Sequence, residues 1–109
     1  MANKFKKKGP YQKHFVAKWR SRFDLSQDEL AEQIGTSKAT ISRLENYENG
    51  YSQDLIEAIA EALGLSPASL LAIDPNDEND ILTIWNQATK QQQRLIVTLA
   101  RGVLSSEAA

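Results

Sequence analysis

The order of apolar and polar positions along the chain predicts helices and gives no support for strands. Apolar residues recur at three- and four-residue spacing, which places them on one face of a helix. The first such face lies near the start of the chain and consists of Phe15, Val16, Trp19 and Phe23. Basic residues are expected on the opposite face of this helix. Because no stretch alternates apolar and polar positions with the period of a strand, the predicted fold class is all-α.

Helix-starting and helix-ending residues define a second helix. Ser26 and Glu29 have the spacing of a capping box, in which each side chain accepts a hydrogen bond from the backbone N–H of the other. Leu25 and Leu30 occupy the two positions of a hydrophobic staple around the same cap. Gly35 is expected to end this helix, because glycine takes a left-handed backbone without steric cost.

A third helix follows the second closely and is expected to be capped by Thr36 or Ser37. Two helices joined by so short a turn cross at roughly 90 to 120°. Their contact point then requires a small side chain, the turn requires a glycine, and the second helix requires inward apolar anchors. Counted from Gln27 as the first position, these needs are met at the fifth, ninth, fifteenth and eighteenth positions by Ala31, Gly35, Ile41 and Leu44. The spacing predicts a helix-turn-helix motif.

Four further helices complete the prediction. Ser52 and Ser66 are expected to cap a fourth and a fifth helix. Beyond a break at residues 74–77 the apolar pattern resumes in a sixth helix, and Thr89 and Gln92 have capping-box spacing for a seventh. The elements are short and joined by short connections, as is usual in a helical domain.

The segment LSQDELAEQIGTSKATISRLENYENG resembles the helix-turn-helix of the Xre family, which includes lambda-type phage repressors and Cro proteins. The resemblance covers about residues 13 to 72 and extends into DLIEAIAEALGLSPASLL. It implies a lambda repressor-like five-helix DNA-binding domain, to which this chain adds two C-terminal helices. It also implies a homodimer on a two-fold symmetric operator, with the helix at about 37–45 in the major groove. We therefore predict a sequence-specific transcriptional regulator of double-stranded DNA, with repression the favoured sign.

The resemblance also implies which side chains of the third helix read bases. The family's base-reading positions fall on Lys38, Ala39, Ser42 and Arg43. Arg43 can bond both O6 and N7 of guanine, Lys38 can donate to the same acceptors, and Ala39 can pack a methyl group against thymine. Ser42 is short and reaches only phosphate. In the alternative interpretation of Arg43, it forms a surface ion pair with Glu45 or Glu48.

Phosphate contacts are expected at both ends of the motif. Gln27 resembles the family's phosphate clamp, and the backbone N–H groups at a helix start favour anions. On the recognition side the expected partners of phosphate are Ser37, Thr40 and Asn46. The alternatives are ordinary structural roles, with Gln27 a first-turn residue and Ser37 only a cap.

Charge is divided sharply along the chain, although the net charge is only −1. Residues 1–22 carry eight basic residues and no acid, whereas the remainder carries five basic residues and all fourteen acids. Such asymmetry is typical of an arm that binds nucleic acid. The lysines expected to meet phosphates are Lys4, Lys6, Lys7 and Lys8. In the alternative, the basic segment only aids solubility or pairs with the acidic body; a membrane role has no amphipathic apolar face to support it.

The chain is predicted to fall into three parts: a basic flexible arm at 1–10, the helix-turn-helix DNA-binding domain at 11–73 and a C-terminal helical extension at 74–109. The extension carries more apolar surface than a five-helix body requires. We predict that it forms a homodimer through Ile81, Trp85, Leu95, Ile96, Leu99 and Val103. Two alternatives stay open: the extension folds back on the monomer's core, or it grips a different protein, as in an antitoxin or an adaptor.

The chain offers little for catalysis, and it is predicted not to be an enzyme. It has 109 residues, no cysteine and a single histidine, His14, which is expected at the surface or at a helix end. Without a Gly-rich phosphate loop or a cluster of metal-ligating residues, no cofactor is expected. No apolar run approaches the roughly 18 residues needed to span a bilayer, and no signal peptide is visible. A cytoplasmic location without a membrane partner is expected; a protein or small-molecule effector is left open.

Overall fold

The computed structural model describes Gly9 and residues 11–108, and the described part of the chain is helical, without strands. The all-α prediction is therefore confirmed. The helices are α1 (Val16–Arg22), α2 (Gln27–Ile34), α3 (Lys38–Glu45), α4 (Gln53–Leu63), α5 (Pro67–Ala72), α6 (Ile81–Gln87) and α7 (Lys90–Ala108). No helix in the described residues combines the length and the apolar character that crossing a membrane requires.

The chain divides into two compact units between Asn76 and Asp77. In the first unit, α2 packs against α3 and α4, α5 packs against α4, and α1 packs against α5. Its core is built from aliphatic side chains, of which the largest fully buried ones are Leu30, Ile41, Leu44, Ile59, Leu70 and Val16. Ala31, the small residue predicted at the crossing of the motif's helices, is also buried.

Helices α2 to α5 begin in the same way, at a serine whose hydroxyl accepts a hydrogen bond from the backbone N–H three residues later. The capping serines are Ser26, Ser37, Ser52 and Ser66. Each such cap contributes about 1 kcal/mol to stability. At α2 the reciprocal bond of the predicted capping box is also present, since the Ser26 N–H donates to Glu29 Oε1 at 2.9 Å. These bonds lower the pKa of the Glu29 carboxyl group.

Glycine ends α2 and α4. Gly35 and Gly64 have φ values of 77° and 69°, in the left-handed region that disfavours other residues. The predicted end of α2 is thus confirmed. Two non-glycine residues also take positive φ: Asp24 at 57° in the turn between α1 and α2, and Tyr47 at 58° just after α3.

The predicted apolar face of α1 is only partly correct. Val16 is buried, and Trp19 is half-buried, with its indole N–H donating to the carbonyl oxygens of Ser69 and Ile73 at 3.0 and 2.9 Å. Phe23, by contrast, is 45% exposed. The reason is that α1 ends at Arg22, so Phe23 is the C-cap residue and its ring stacks on the exposed side of Trp19.

The second unit consists of α6 and α7. Asp80 caps α6 by accepting a hydrogen bond from the Leu82 N–H at 2.8 Å. The predicted capping box of α7 is confirmed, because Thr89 and Gln92 exchange side-chain to backbone hydrogen bonds at 2.8 and 3.1 Å. No side chain between positions 77 and 106 is buried. This unit therefore has no core of its own comparable to that of the first.

Candidate nucleic-acid interface

The outer face of α3 presents the side chains that were predicted to read bases. Ile41 and Leu44, at 0% and 2% relative exposure, fix the inner face of the helix in the core. The other side of the helix is at least partly open to the outside and carries Lys38, Ala39, Ser42 and Arg43. A polar and basic strip thus lies opposite the buried anchors, as the helical period requires.

The first turn of α3 holds two neighbouring hydroxyl groups. Ser37 Oγ accepts a hydrogen bond from the Thr40 N–H at 3.2 Å and lies 3.0 Å from Thr40 Oγ1. Ser37 is exposed and Thr40 is partly exposed. Ser37 therefore caps α3, and its contact with phosphate stays a prediction.

The two cations of the strip are only loosely held. Lys38 Nζ lies 4.0 Å from Asp28 Oδ2, and the two side chains are 60% and 72% exposed. An ion pair as exposed as this one contributes little to stability. Lys38 can therefore turn toward another partner at little cost. Arg43 forms no ion pair with any residue in the described ranges.

A partly buried cluster of three polar side chains joins α1, α2 and the end of α3. The Arg20 guanidinium donates to both oxygens of Glu45, through Nε at 2.6 Å and a terminal nitrogen at 2.9 Å, and it also donates to the Leu25 carbonyl at 2.7 Å. The Gln27 amide donates to Glu45 Oε1 at 2.9 Å. The side chains of Arg20 and Glu45 are 15% and 6% exposed. The hydrogen bonds with Glu45 raise the pKa of Arg20.

This cluster removes Glu45 from the alternative interpretation of Arg43, in which Arg43 pairs with Glu45 or Glu48. The Glu45 carboxylate is occupied by Arg20 and Gln27 on the inner side of α3, so it is not the surface partner of Arg43. The cluster also shows what holds Gln27, whose amide nitrogen uses one of its two hydrogens on Glu45. Sequence patterns missed the Arg20–Glu45 pair, since the residues are 25 positions apart and no local motif links them.

At the other end of α3, Asn46 is the C-cap residue and is exposed. Its amide donates weakly to Ser42 Oγ, at 3.4 Å. The four lysines predicted to meet phosphates, at positions 4, 6, 7 and 8, lie outside the described residues.

His14 meets one part of its prediction and not the other. It lies at a helix end, just before α1, where the Val16 N–H donates weakly to its Nδ1 at 3.4 Å. It does not lie on the surface, because it is buried at 5% exposure. Burial lowers the pKa of the His14 imidazole, against smaller raising effects from a backbone hydrogen bond with Leu44 and from the charge of Glu45. The ring is therefore neutral at pH 7 and packs as an aromatic group.

The predicted dimerisation residues lie on α6 and α7 with large exposed areas. Ile81, Leu95, Leu99 and Val103 are 58–63% exposed, while Trp85 and Ile96 are partly buried. A shallow groove of about 380 Å³ runs between the two helices, and its apolar lining includes Ile84, Ala88, Leu95, Ile96 and Leu99.

Five short helices with a capped, outward-facing α3 define a DNA-binding helix-turn-helix domain of the lambda repressor-like type. Residues 16–70 match the helix-turn-helix family HTH_3, and the chain belongs to this family. The family is one of DNA-binding regulators and not a class of enzymes. A stretch of 68 residues, 61% of this chain, is 38% identical to the competence pilus inhibition repressor of Acinetobacter baylyi. The match spans 62% of that relative, less than two thirds of its length.

A solved structure shares the fold, and a second is similar in part. The SinR protein/SinI protein complex superposes with a TM-score of 0.56 at 24% identity, over 83% of this chain and 94% of that one. The P22 c2 repressor protein, solved in complex with a synthetic operator, gives a TM-score of 0.49 at 28% identity over 52% of this chain and 86% of that one.

Proposed function

We propose that this protein is a sequence-specific transcriptional repressor that binds a two-fold symmetric operator as a homodimer, with α3 in the major groove. The observation that carries the proposal is the exposed strip on α3, where Lys38, Ala39 and Arg43 stand opposite the buried anchors. Arg43 would bond guanine O6 and N7, Lys38 would donate to the same acceptors, and Ala39 would pack on thymine. The likeness to a repressor of Acinetobacter baylyi supports the sign of regulation. The site of action is the cytoplasm, and no catalytic step is involved.

Phosphate contacts would surround this base-reading strip. Gln27 keeps one amide hydrogen free of Glu45 and lies in the first turn of α2, where backbone N–H groups also point outward. Ser37 and Thr40 offer hydroxyls at the start of α3, and Asn46 offers an amide at its end. These groups position the protein on the duplex without reading its sequence.

Selection of duplexes from a random-sequence pool at about 150 mM salt tests the proposal. We expect enrichment of an inverted repeat whose half-sites lie about one helical turn apart. Retention of duplexes without any enriched sequence would contradict sequence-specific regulation. Enrichment of a single half-site would contradict the homodimer.

Substitution of Arg43 tests its contact with guanine. Arg43→Ala is expected to weaken operator binding by about 1 to 3 kcal/mol and to relax base preference at one position of each half-site. The matched variant is Arg43→Lys, which keeps the charge but loses the planar fork that bonds two acceptors. If Arg43→Lys preserves both affinity and base preference, Arg43 contacts phosphate and the assignment to guanine is wrong.

Removal of the basic arm tests its electrostatic role. Deleting residues 1–8 removes Lys4, Lys6, Lys7 and Lys8, and should flatten the dependence of log K on log salt by about 3 to 4 units if all four meet phosphates. Base preference should not change. Replacing the four lysines by glutamine in the full-length chain is the control, since it removes the charge and keeps the length. An unchanged slope in both variants would show that the arm does not touch DNA.

The homodimer is proposed to form through α6 and α7. Their exposed apolar side chains form a patch of the kind that marks an interaction site. An isologous interface brings the same patch of both copies together, so that the apolar face of one copy covers that of the other. A second copy of the chain therefore fits this face in its apolar character.

A second candidate function is binding of a different protein through the same face, as in an antitoxin or an adaptor. The groove between α6 and α7 gives this candidate a concrete site. An effector, if one acts, would compete with the second copy there.

A further inference from the structure

The chain just before α1 is attached to the loop that follows α3. The ring of Tyr11 lies directly on Gly50, since a Cβ added at Gly50 would come within 3.1 and 3.3 Å of Tyr11 Cε1 and Cδ1. The opposite edge of the same ring faces Gly9, where an added Cβ would lie at an ordinary 3.6 Å. Tyr11 is half-buried by these contacts.

Two further residues of the loop hold the same segment. The Tyr47 hydroxyl donates to the His14 carbonyl at 3.0 Å. The buried His14 ring meets the rings of Tyr47 and Tyr51 edge to face, with centroid distances of 4.9 and 5.9 Å. Edge-to-face pairs at these distances are attractive. We call this group of residues, comprising Tyr11, His14, Tyr47, Gly50 and Tyr51, the aromatic clamp.

The backbone at Tyr47 is set by the end of α3. Tyr47 lies just after the C-cap of this helix and has a φ of 58°, in the left-handed region where many helices end. Its N–H donates to the Leu44 carbonyl at 3.1 Å, and the Glu48 N–H donates to the Arg43 carbonyl at 3.0 Å. The helix end thus fixes the position of Tyr47, and the clamp adds the hydrogen bond and the ring contact with His14.

We propose that the aromatic clamp is a positioning device that fixes the start of the basic arm beside the end of α3. This inference rests on the proposed function, because it matters only if α3 and the arm lysines bind the same DNA. The lysines at positions 4 to 8 lie three to seven residues before Tyr11, so they start within roughly 10 to 25 Å of the clamp. Without the contact between Tyr11 and Gly50, the next fixed point is His14, whose carbonyl accepts a hydrogen bond from the Tyr47 hydroxyl at 3.0 Å.

Opening the clamp at Tyr11 therefore lengthens the tether of every arm lysine by three residues, from Tyr11 to His14. The effective concentration of a tethered group falls roughly as the −3/2 power of tether length. For tethers that grow from three to six, or from seven to ten, residues, the expected loss is roughly two- to threefold in affinity. The loss should appear only when the arm is present.

Gly50→Val is the variant that opens the clamp with least disturbance elsewhere. Gly50 is not among the residues with positive φ, so a side chain there needs no left-handed backbone, and the atoms nearest to its Cβ belong to the Tyr11 ring. Tyr11→Ala removes the ring itself and should act in the same way. Gly9→Ala is the matched control, because its methyl group meets the other side of the ring at ordinary contact distance.

Each variant is made in the full-length chain and in the chain lacking residues 1–8, and affinity for the selected duplex is measured with its salt dependence. In the full-length chain, Gly50→Val and Tyr11→Ala are expected to weaken binding about two- to threefold and to make the salt slope shallower. In the shortened chain they should change neither, and Gly9→Ala should change neither in the full-length chain. Thermal unfolding of every variant confirms that the domain is folded.

Two results would overturn the inference. The first is an unchanged affinity of Gly50→Val and Tyr11→Ala in the full-length chain. The second is an equal loss with and without the arm, which would give the clamp a purely structural role. Failure of the unaltered protein to select any duplex is a different result, since it overturns the proposed function itself.

Discussion

Replacing Glu45 by alanine is expected to lower the free energy of unfolding of the first unit by about 3 kcal/mol. The substitution leaves the Arg20 guanidinium with only the Leu25 carbonyl as partner and removes the acceptor of the Gln27 amide. Removing one partner of a buried ion pair costs about 3 to 5 kcal/mol; we take the lower end because Arg20 keeps 15% exposure. The melting temperature should fall by roughly 12 to 24 °C, as followed by circular dichroism.

Two control variants separate the contribution of the Arg20–Glu45 ion pair from the general effect of removing a glutamate. Glu48→Ala removes an exposed glutamate three positions later and should change stability by less than about 0.5 kcal/mol. Arg20→Met combined with Glu45→Leu replaces both charges by apolar groups of similar size, which is often close to neutral. The double-mutant cycle should therefore give a coupling of at least about 2 kcal/mol. A cost below about 1 kcal/mol for Glu45→Ala would show that the pair behaves as an ordinary surface salt bridge.

The sequence predicted those parts of the fold whose causes are local. A serine cap acts on an amide three residues away, and a glycine such as Gly35 ends a helix through its own φ. Both effects lie within one turn of chain, so their residues can be recognised without knowing the tertiary structure. The inward positions of Ile41 and Leu44 follow from helical period in the same way.

The features that the sequence did not predict depend on residues far apart along the chain. Arg20 looked like one of several bases on an exposed face of α1, and only the packing of α1 near the end of α3 brings it to Glu45. His14 was expected at the surface or at a helix end, and its burial against two tyrosines more than 30 positions later was not expected. Long-range pairs of this kind carry no periodic pattern that a single sequence reveals.

In the candidate site, too, the sequence predicted the features with local causes and missed those that depend on distant residues. The exposure of Lys38, Ala39 and Arg43 follows from the helical period once the buried anchors are known. The state of Gln27 does not, because its hydrogen bond to Glu45 joins the start of α2 to the end of α3. Gln27, a candidate for binding phosphate, is thus held by Glu45, whose pair with Arg20 we expect to stabilise the domain.

Truncation after Pro75 is expected to convert a dimer into a monomer and to weaken operator binding by about 10²- to 10⁴-fold. The reason is that two linked half-site contacts bind far more tightly than either does alone. Light scattering at micromolar concentration should give twice the 12.2 kDa chain mass for the full-length protein and a monomer for the truncated one. Since the buried core of the first unit lies before residue 76, the truncated protein should still fold and still bind a single half-site weakly.

A pair of point variants locates the interface without removing a helix. Leu99→Asp places a charge on the apolar groove of α7 and should yield a monomer. Thr98→Asp places the same charge one position away, about 100° around the helix, between Arg94 and Arg101 at helical spacing; it should leave the dimer intact. A truncated protein that remains a dimer would place the interface in the first unit. The full-length protein could instead be a monomer that Leu99→Asp does not change. That result would contradict the homodimer and favour the adaptor function, in which a different protein binds the groove.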